Sequence, residues 1–118
     1  MELRTLTFDA ADPERLATFW AELWNSSARA ARILPGAWVI DAEDSRPTLI
    51  FLPVPEPKTA KNRFHPDLHT SDLARRVEQA VAAGATLVAD HDEAGRWVVL
   101  TDVEGNEFCI VEDPDATA

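Results

Sequence analysis

The amino-acid sequence predicts an α+β fold made of two similar halves. In the opening segment, Leu3–Asp9, apolar and polar residues alternate as they do in a half-buried strand. A helical pattern opens at Asp12, and the order of strand, helix and three further strands then recurs in the second half. Seven residues separate Thr5 from Asp12, and seven also separate His65 from Asp72. Helices packed on one face of each sheet would give the α+β class.

In the first half, Asp12 is a residue type that caps helices, and the helix it opens carries one apolar stripe. That stripe predicts a core-facing surface made of Leu16, Phe19, Trp20, Leu23 and Trp24. Short apolar runs at Ala37–Asp41 and Thr48–Val54 predict two strands, and Arg29–Leu34 is a weaker strand candidate.

In the second half, Arg63–Thr70 is predicted as a strand, and Asp72 opens a helix that ends near Gly84. The inner face of this helix is predicted to consist of Leu73, Val77, Ala80 and Val81. Three more strands are predicted at Thr86–Ala89, Arg96–Leu100 and Glu107–Val111. The turn Asp102–Asn106 is typical of a tight connection in which Asp102 binds backbone amides.

The domain organisation follows from this pattern. We expect a single domain over residues 1–118, with module one at about 1–54 and module two at about 63–113. The proline-rich segment at about 55–62 is predicted to be the linker, and residues 114–118 a tail.

The composition limits the classes of function. The 118 residues are 46% hydrophobic, which is enough for a core, and 21 acidic against 11 basic residues give a net charge of −10. Such a charge makes binding to nucleic acid or a membrane surface unfavourable. One cysteine cannot form an intrachain disulfide, and no secretory signal is recognisable, so we expect a cytoplasmic protein.

With these elements placed, the chain resembles the vicinal oxygen chelate superfamily, which includes glyoxalase I, bleomycin-resistance proteins and extradiol dioxygenases. Within that superfamily it looks more closely like the small actinobacterial glyoxalase-like domains. The residues that carry the resemblance are Asp12–Trp20, Val54–Lys58, Lys61–Arg63, His65, Asp67, Leu68, Trp97 and Asp102–Cys109.

The resemblance implies two tandem βαβββ modules whose curved mixed sheets surround a concave cavity, with the helices on the outer faces. Metal enzymes of the superfamily place four ligands on this surface, at positions that correspond here to Thr5, Leu52, His65 and Cys109. Only His65 is a usual ligand. The resemblance therefore implies that the usual divalent metal site is missing and that no cofactor is required.

A different site could use neighbouring residues. Strand alternation would put His65, Asp67 and His69 on one face, with Asp9 nearby, as a shifted metal site or an acid/base pair. In that case His65 with Asp67 or Asp9 would hold the metal ion. Alternatively, these residues are solvated at a strand end, since positions i to i+4 span about 13 Å, too far for all three to share one ion.

Cys109 has two interpretations. It could be a nucleophile that His65 activates, or a buried thiol that fills space. Trp38 and Trp97 lie on strands, so each could line the cavity or pack in the core. The expected ligand pocket comprises Thr5, Thr7, Asp9, Trp38, Ile50, Leu52, His65, Asp67, Trp97 and Cys109.

The expected function is metal-independent binding of a small organic molecule, as in bleomycin-resistance proteins. The alternative is a lyase or isomerase of the glyoxalase type that uses His65, the best catalytic candidate, in a nonstandard metal or acid/base site. A structural dimerisation module is a third possibility. The resemblance also implies a homodimer.

Overall fold

Eight strands and two helices, split equally between two units, make up the chain in a computed structural model that describes all residues from Met1 to Ala118. The units are Met1–Pro57 and Lys58–Ala118. Each contains a strand, a helix and three further strands in that order, which confirms the predicted α+β fold with two βαβββ modules.

The first unit contains a mixed four-stranded sheet. Its elements are β1 (Thr5–Ala10), α1 (Pro13–Leu23), β2 (Arg29–Ala30), β3 (Trp38–Ile40) and β4 (Thr48–Pro53). The strand order is β1-β4-β3-β2, with β1 parallel to β4 and the other pairs antiparallel. The first and last strands of the unit are therefore direct neighbours.

The second unit repeats this topology. Its elements are β5 (Asp67–Thr70), α2 (Leu73–Ala83), β6 (Thr86–Asp92), β7 (Arg96–Thr101) and β8 (Glu107–Glu112), in the sheet order β5-β8-β7-β6. The strand predicted over Arg63–Thr70 begins only at Asp67. Pro66 has no N–H to donate to the ladder, although its carbonyl accepts a hydrogen bond from the N–H of Cys109 at 3.0 Å.

Both helices begin as the sequence predicts. The carboxylate of Asp12 accepts a hydrogen bond from the N–H of Arg15 at 3.2 Å, and Asp72 does the same for Arg75 at 3.2 Å. Each satisfies one N–H that the first helical turn leaves without a partner. Each helix has 11 residues, and neither is long and apolar enough to cross a membrane.

Aromatic rings fill the core of the first unit between α1 and its sheet. Phe8 stacks on Phe51 with ring centroids 4.9 Å apart, and Trp20 of α1 lies 5.5 Å from Phe8. Trp20 and Phe51 are at most 1% exposed. Because aromatic contacts add to the free energy gained by burying the rings, this cluster fixes α1 on one face of the sheet.

The core of the second unit is covered by a narrower helical stripe. Phe108, Leu100 and the Leu73 and Ala80 side chains of α2 are buried. Val81, predicted on the inner face, is instead 47% exposed. Leu73 and Ala80 are seven residues apart and align on one side of the helix, whereas Val81 is rotated by about 100° from Ala80.

Arg46 is a buried cation that ties the turn between β3 and β4 to the end of α1. Its side chain donates to the carbonyl of Asp41 at 2.7 Å, lies 3.2 Å from the carboxylate of Glu43, and covers the ring of Trp24 at 5.0 Å. Its Nε atom is buried without a hydrogen-bond partner. Cation–π attraction and the ion pair offset part of the cost of burying this charge.

Asp102 organises the turn between β7 and β8, as predicted. Its carboxylate is buried and accepts hydrogen bonds from the backbone N–H groups of Glu104 and Asn106 at 2.9 and 3.0 Å. The side-chain amide of Asn106 also donates to it. This arrangement satisfies the turn amides and fixes the start of β8.

The end of α2 depends on a glycine. Gly84 has φ = +121°, and a Cβ atom there would lie 2.8 Å from Cγ1 of Val103. Gly95 has a similar φ of +124°, but nothing lies within 4 Å of the equivalent position. We expect Gly95→Ala to cost about 1–2 kcal/mol in unfolding free energy through backbone strain alone. Gly84→Ala should cost at least about 1 kcal/mol more, because of the steric overlap.

Urea unfolding of both variants measures this difference. A double-mutant cycle with Val103→Ala should recover the additional cost of Gly84→Ala. Equal costs for the two glycine substitutions, or no coupling between positions 84 and 103, would contradict the steric explanation.

Candidate functional site

Each sheet has one face that points away from the helix of its own unit, and we call this the open face. In the first sheet the open face carries Thr5, Thr7, Asp9, Val39, Ile50 and Leu52. Along β1 and β4 these residues alternate with residues that face the helix, and Val39 is the register partner of Ile50. In the second sheet it carries Asp67, His69, Trp97, Cys109 and Val111. Nine of the ten predicted pocket residues lie on these faces or, like His65, directly beside one.

Trp38 is the exception. It pairs with Phe51 in the antiparallel ladder between β3 and β4, and register partners share a face of the sheet. Phe51 is fully buried in the core next to α1. Trp38 therefore lies on the helix side of the first sheet, away from the other predicted pocket residues of its unit.

A continuous row of side chains crosses the first open face. Thr7 pairs with Ile50, Ile50 with Val39, and Val39 with Arg29. The row has a hydroxyl at one end, two aliphatic side chains in the middle and a guanidinium at the other end. Ile50 is partly exposed and Val39 is only 7% exposed, so the row offers a narrow apolar strip with a polar group at each end.

The row leads into a cleft of about 420 Å³ that sequence reasoning missed. The cleft is lined by Arg29, Ala31, Arg32, Ile33, Leu34, Val39 and Asp41. The sequence pattern predicts a strand over Arg29–Leu34, but β2 has only two residues. The rest forms a loop that closes with a hydrogen bond from the N–H of Ala37 to the carbonyl of Leu34 at 3.1 Å. Pro35 and Gly36, which favour turns, are the sequence feature that indicates a loop at this point.

The cations of the cleft have different roles. The guanidinium of Arg29 donates hydrogen bonds to both carboxylate oxygens of Asp41, at 2.8 and 3.0 Å. This hydrogen bonding lowers the pKa of Asp41, and the charges of Arg32 and Arg46 act in the same direction. The charge of Arg29 is balanced by Asp41, whereas the Arg32 side chain is exposed at the wall of the cleft. Arg32 is therefore the guanidinium best placed to meet an anion.

On the second unit, His65, Asp67 and Cys109 form a cluster. One ligand atom from each of the three lies within 4.8 Å of the others, and Nδ1 of His65 is 3.3 Å from Oδ1 of Asp67. The parallel register between β5 and β8 places Asp67 directly beside Cys109. The sequence pattern relates Cys109 to His65 and carries no signal that Asp67 lies beside Cys109.

The thiol in this cluster is not activated as a nucleophile. Burial raises the pKa of Cys109, and the charge of Asp67 and a hydrogen bond to it raise this pKa further, against a smaller opposite effect of Lys61. The protonated thiol is therefore the dominant form at neutral pH, unlike the thiolate of a reactive cysteine. This environment disfavours the nucleophile interpretation.

His69 belongs to a separate pair. Its Nδ1 atom is 2.9 Å from Oδ2 of Asp113, and this hydrogen bond is the main cause of the lowered pKa of Asp113. Asp9 lies on the first sheet, opposite Leu52 in the ladder. The structure thus brings together His65 and Asp67 of the predicted cluster, and gives His69 a different partner.

Glu107 holds residues 58–62, the segment that precedes His65, through hydrogen bonds. Its carboxylate accepts from the N–H of Asn62 at 2.9 Å and from Nζ of Lys58 at 3.2 Å, while the amide of Asn62 donates to the Glu107 carbonyl. Burial alone would raise the pKa of Glu107, but these hydrogen bonds outweigh it and lower the pKa. Residues 58–62 are therefore held against β8.

Trp97 lies farther along the same open face. It pairs with Val111 on one side and with His91 on the other, and the rings of Trp97 and His91 stack with centroids 4.8 Å apart. The half-buried indole keeps part of its surface at the open face. It gives this face an aromatic region beside the polar cluster.

Two βαβββ modules with one helix each and sheets of order 1-4-3-2 define the class of the vicinal oxygen chelate proteins. The chain belongs to the glyoxalase-like domain family, whose model matches residues 5–111. No match was found among the curated proteins.

Solved structures share the fold at low sequence identity. A glyoxalase/bleomycin resistance protein/dioxygenase family enzyme from Burkholderia phytofirmans PsJN is 20% identical, with a TM-score of 0.75 over 93% of this chain and 97% of that one. The fosfomycin resistance protein FosX from Mesorhizobium loti is 15% identical, with a TM-score of 0.71 over 93% and 89%. A FosX variant from Listeria monocytogenes, complexed with Mn(II) and dihydroxypropylphosphonic acid, is 12% identical, with a TM-score of 0.76 over 94% and 89%.

The surroundings of Cys109 predict how its reactivity depends on pH. Because Asp67 raises the thiol pKa, Asp67→Asn should lower that pKa and increase the alkylation rate by iodoacetamide severalfold at a given pH. Mass spectrometry of the alkylated fraction, in buffer with a chelator and between about pH 7 and pH 10, gives the pH profile.

Asp113→Asn is the matched control, since Asp113 hydrogen-bonds His69 instead, and its profile should stay that of the unmodified chain. If Asp67→Asn leaves the pH profile of alkylation unchanged, Asp67 does not raise the pKa of the Cys109 thiol.

Proposed function

We propose that the protein binds a small organic molecule with an apolar body and an anionic group, and that it binds this molecule on the first unit. The binding surface would combine the cleft with the open-face row that runs from Thr7 to Arg29. The observation that carries this proposal is the continuity between the two, because Arg29 and Val39 belong to both.

The composition of the cleft supports this class of ligand. Ile33 and Leu34 are exposed at 90% and 44% although they are large and apolar, and both line the cleft beside Arg32. The cleft of about 420 Å³ is widely open to solvent, so a small molecule bound there would keep part of its surface exposed. An apolar body would cover the aliphatic side chains, while the guanidinium would pair with a carboxylate or phosphonate.

The donors on the first open face support binding without a hard metal ion. The FosX variant from Listeria monocytogenes holds Mn(II), an ion that favours imidazole and carboxylate ligands. Here Thr5, Thr7, Ile50 and Leu52 occupy the corresponding strands, and Asp9 is the only carboxylate among the open-face residues of the first sheet. The register also makes Ile50, and not Leu52, the counterpart of Cys109, since Thr7–Ile50 and Asp67–Cys109 are equivalent pairs. This donor set does not fit Mn(II).

Substitution of Arg32 tests the anion component. Saturation-transfer NMR and calorimetric titration with hexanoate, phenylacetate and butylphosphonate should detect binding, and the uncharged amides hexanamide and phenylacetamide should bind more weakly. Arg32→Gln should weaken binding of the anions by about tenfold or more, since a hydrogen bond to a charged group contributes about 1.5–3 kcal/mol.

Arg4→Gln is the control, because Arg4 pairs with Glu2 on the exposed surface and does not line the cleft. Equal binding of acids and amides, or equal loss in both arginine variants, would contradict the proposed site. Absence of binding by any anion of the panel would reject the ligand class.

A second candidate function is a lyase or isomerase of the glyoxalase type centred on His65. The specific observation in its favour is the 3.3 Å approach of His65 to Asp67, because a carboxylate beside an imidazole fixes the ring orientation for proton transfer. The binding proposal ranks first, since it has a cleft with both apolar and charged lining.

We also propose that the chain forms a homodimer, as the resemblance implies. Val81, Leu87 and Val88 are about half exposed on the second unit, near the end of α2 and on the edge strand β6, and burial against a second copy would remove them from water. Sedimentation velocity should give the mass of a dimer, and Leu87→Glu should shift the population toward the monomer. A monomer at all concentrations would contradict this proposal.

A further inference from the structure

We propose that Asp41 limits the cleft to ligands with a single negative charge, because its carboxylate occupies the guanidinium that a second anionic group would need. That guanidinium belongs to Arg29, and both residues line the cleft. The role of Asp41 rests on the proposed function, since it concerns the ligands of the same cleft. Asp41 is then a specificity-determining residue that rejects dianions.

The strand register brings Asp41 to Arg29. Arg29 of β2 is the register partner of Val39 of β3, and Asp41 follows two residues after Val39. Side chains two positions apart in a strand point to the same face of the sheet. The diagonal neighbour of a cross-strand pair lies about 7–8 Å away, which a long side chain such as that of arginine can reach. The contact therefore follows from the backbone pairing of β2 with β3.

The contact between the two side chains uses both oxygens of the carboxylate. Nε of Arg29 donates to Oδ2 of Asp41 at 3.0 Å, and Nη2 donates to Oδ1 at 2.8 Å. This is the two-bond geometry in which a guanidinium also binds the carboxylate of a ligand. A ligand carboxylate can reach this pair of donors only by displacing Asp41.

The backbone of Asp41 is held from the opposite side. Its carbonyl accepts a hydrogen bond from Nη1 of the buried Arg46 at 2.7 Å. The hydrogen bonds from Arg29 lower the pKa of the Asp41 carboxyl, and the charges of Arg32 and Arg46 lower it further. The carboxylate is therefore ionised at neutral pH, and displacing it would separate a charge from its partner. Both effects oppose entry of a second anionic group.

The balance of charges leaves one free cation in the cleft. Arg29 and Arg32 are the two guanidinium groups in its lining, and the ion pair with Asp41 balances the charge of Arg29. A monoanion can pair with Arg32 alone. A dianion would bring its second charge towards the carboxylate of Asp41, and placing like charges together is a general means of rejecting a wrong ligand.

Two ligands with the same apolar chain test this specificity. Butylmalonate is hexanoate with a second carboxylate on the carbon next to the first. In calorimetric titrations at about pH 8, where both acids are ionised, the unmodified chain should bind hexanoate more tightly. Asp41→Asn should reverse this order by raising the affinity for butylmalonate about fivefold, the scale of one exposed ion pair. Asp41→Ser, which also removes the charge, should give the same reversal.

Glu43→Gln is the matched control. It removes one negative charge two residues from Asp41, but Glu43 contacts Arg46 and does not line the cleft. The ratio of the two affinities should therefore stay as in the unmodified chain. The double variant Arg29→Gln/Asp41→Asn separates release of the cation from simple loss of repulsion. Without Arg29, the gain in affinity for butylmalonate should disappear.

The role of Asp41 is wrong if hexanoate remains the tighter ligand in both Asp41 variants, if Glu43→Gln has the same effect, or if the gain persists without Arg29. Urea unfolding curves establish that each variant is folded. Hexanoate binding that depends on Arg32, together with no reversal in the Asp41 variants, rejects the specificity role and leaves the proposed function intact. Absence of hexanoate binding to the unmodified chain rejects both.

Discussion

Parallel pairing between the first and last strands of each unit is the contact that builds both open faces. β1 lies beside β4 and β5 beside β8, so residues about 40 positions apart in the chain become neighbours. A parallel pair requires a crossover connection, and the single helix in that connection covers one face of the sheet. The opposite face carries the side chains that point away from the helix, and the candidate functional residues are among them.

The two open faces have different chemistry although their topology is the same. The equivalent register pairs are Thr7 with Ile50 in the first unit and Asp67 with Cys109 in the second. One pair offers a hydroxyl and an aliphatic surface, and the other a carboxylate and a thiol. This contrast illustrates how a fold supplies positions, while function depends on the groups that occupy them.

Local patterns in the sequence predicted most of the fold. Asp12 and Asp72 cap their helices as expected, because a capping contact involves residues only three positions apart. The candidate sites were harder to predict, since they depend on register between distant strands. The pairing of Asp67 with Cys109 has no local signal, and the cleft beside Arg32 arises because β2 stops after two residues. Pattern alone does not fix where a strand ends.

The turns before the last strands show how far the modules have diverged. In the second unit, the carboxylate of Asp102 binds the turn amides, whereas in the first unit the cation Arg46 joins the turn to α1 and covers Trp24. The modules are therefore alike in topology but cannot exchange these segments. Transplanting the Asp102 turn into the first unit would leave the ring of Trp24 and the carbonyl of Asp41 without their partner. Any chimaera of the two modules must carry the helix end together with the turn.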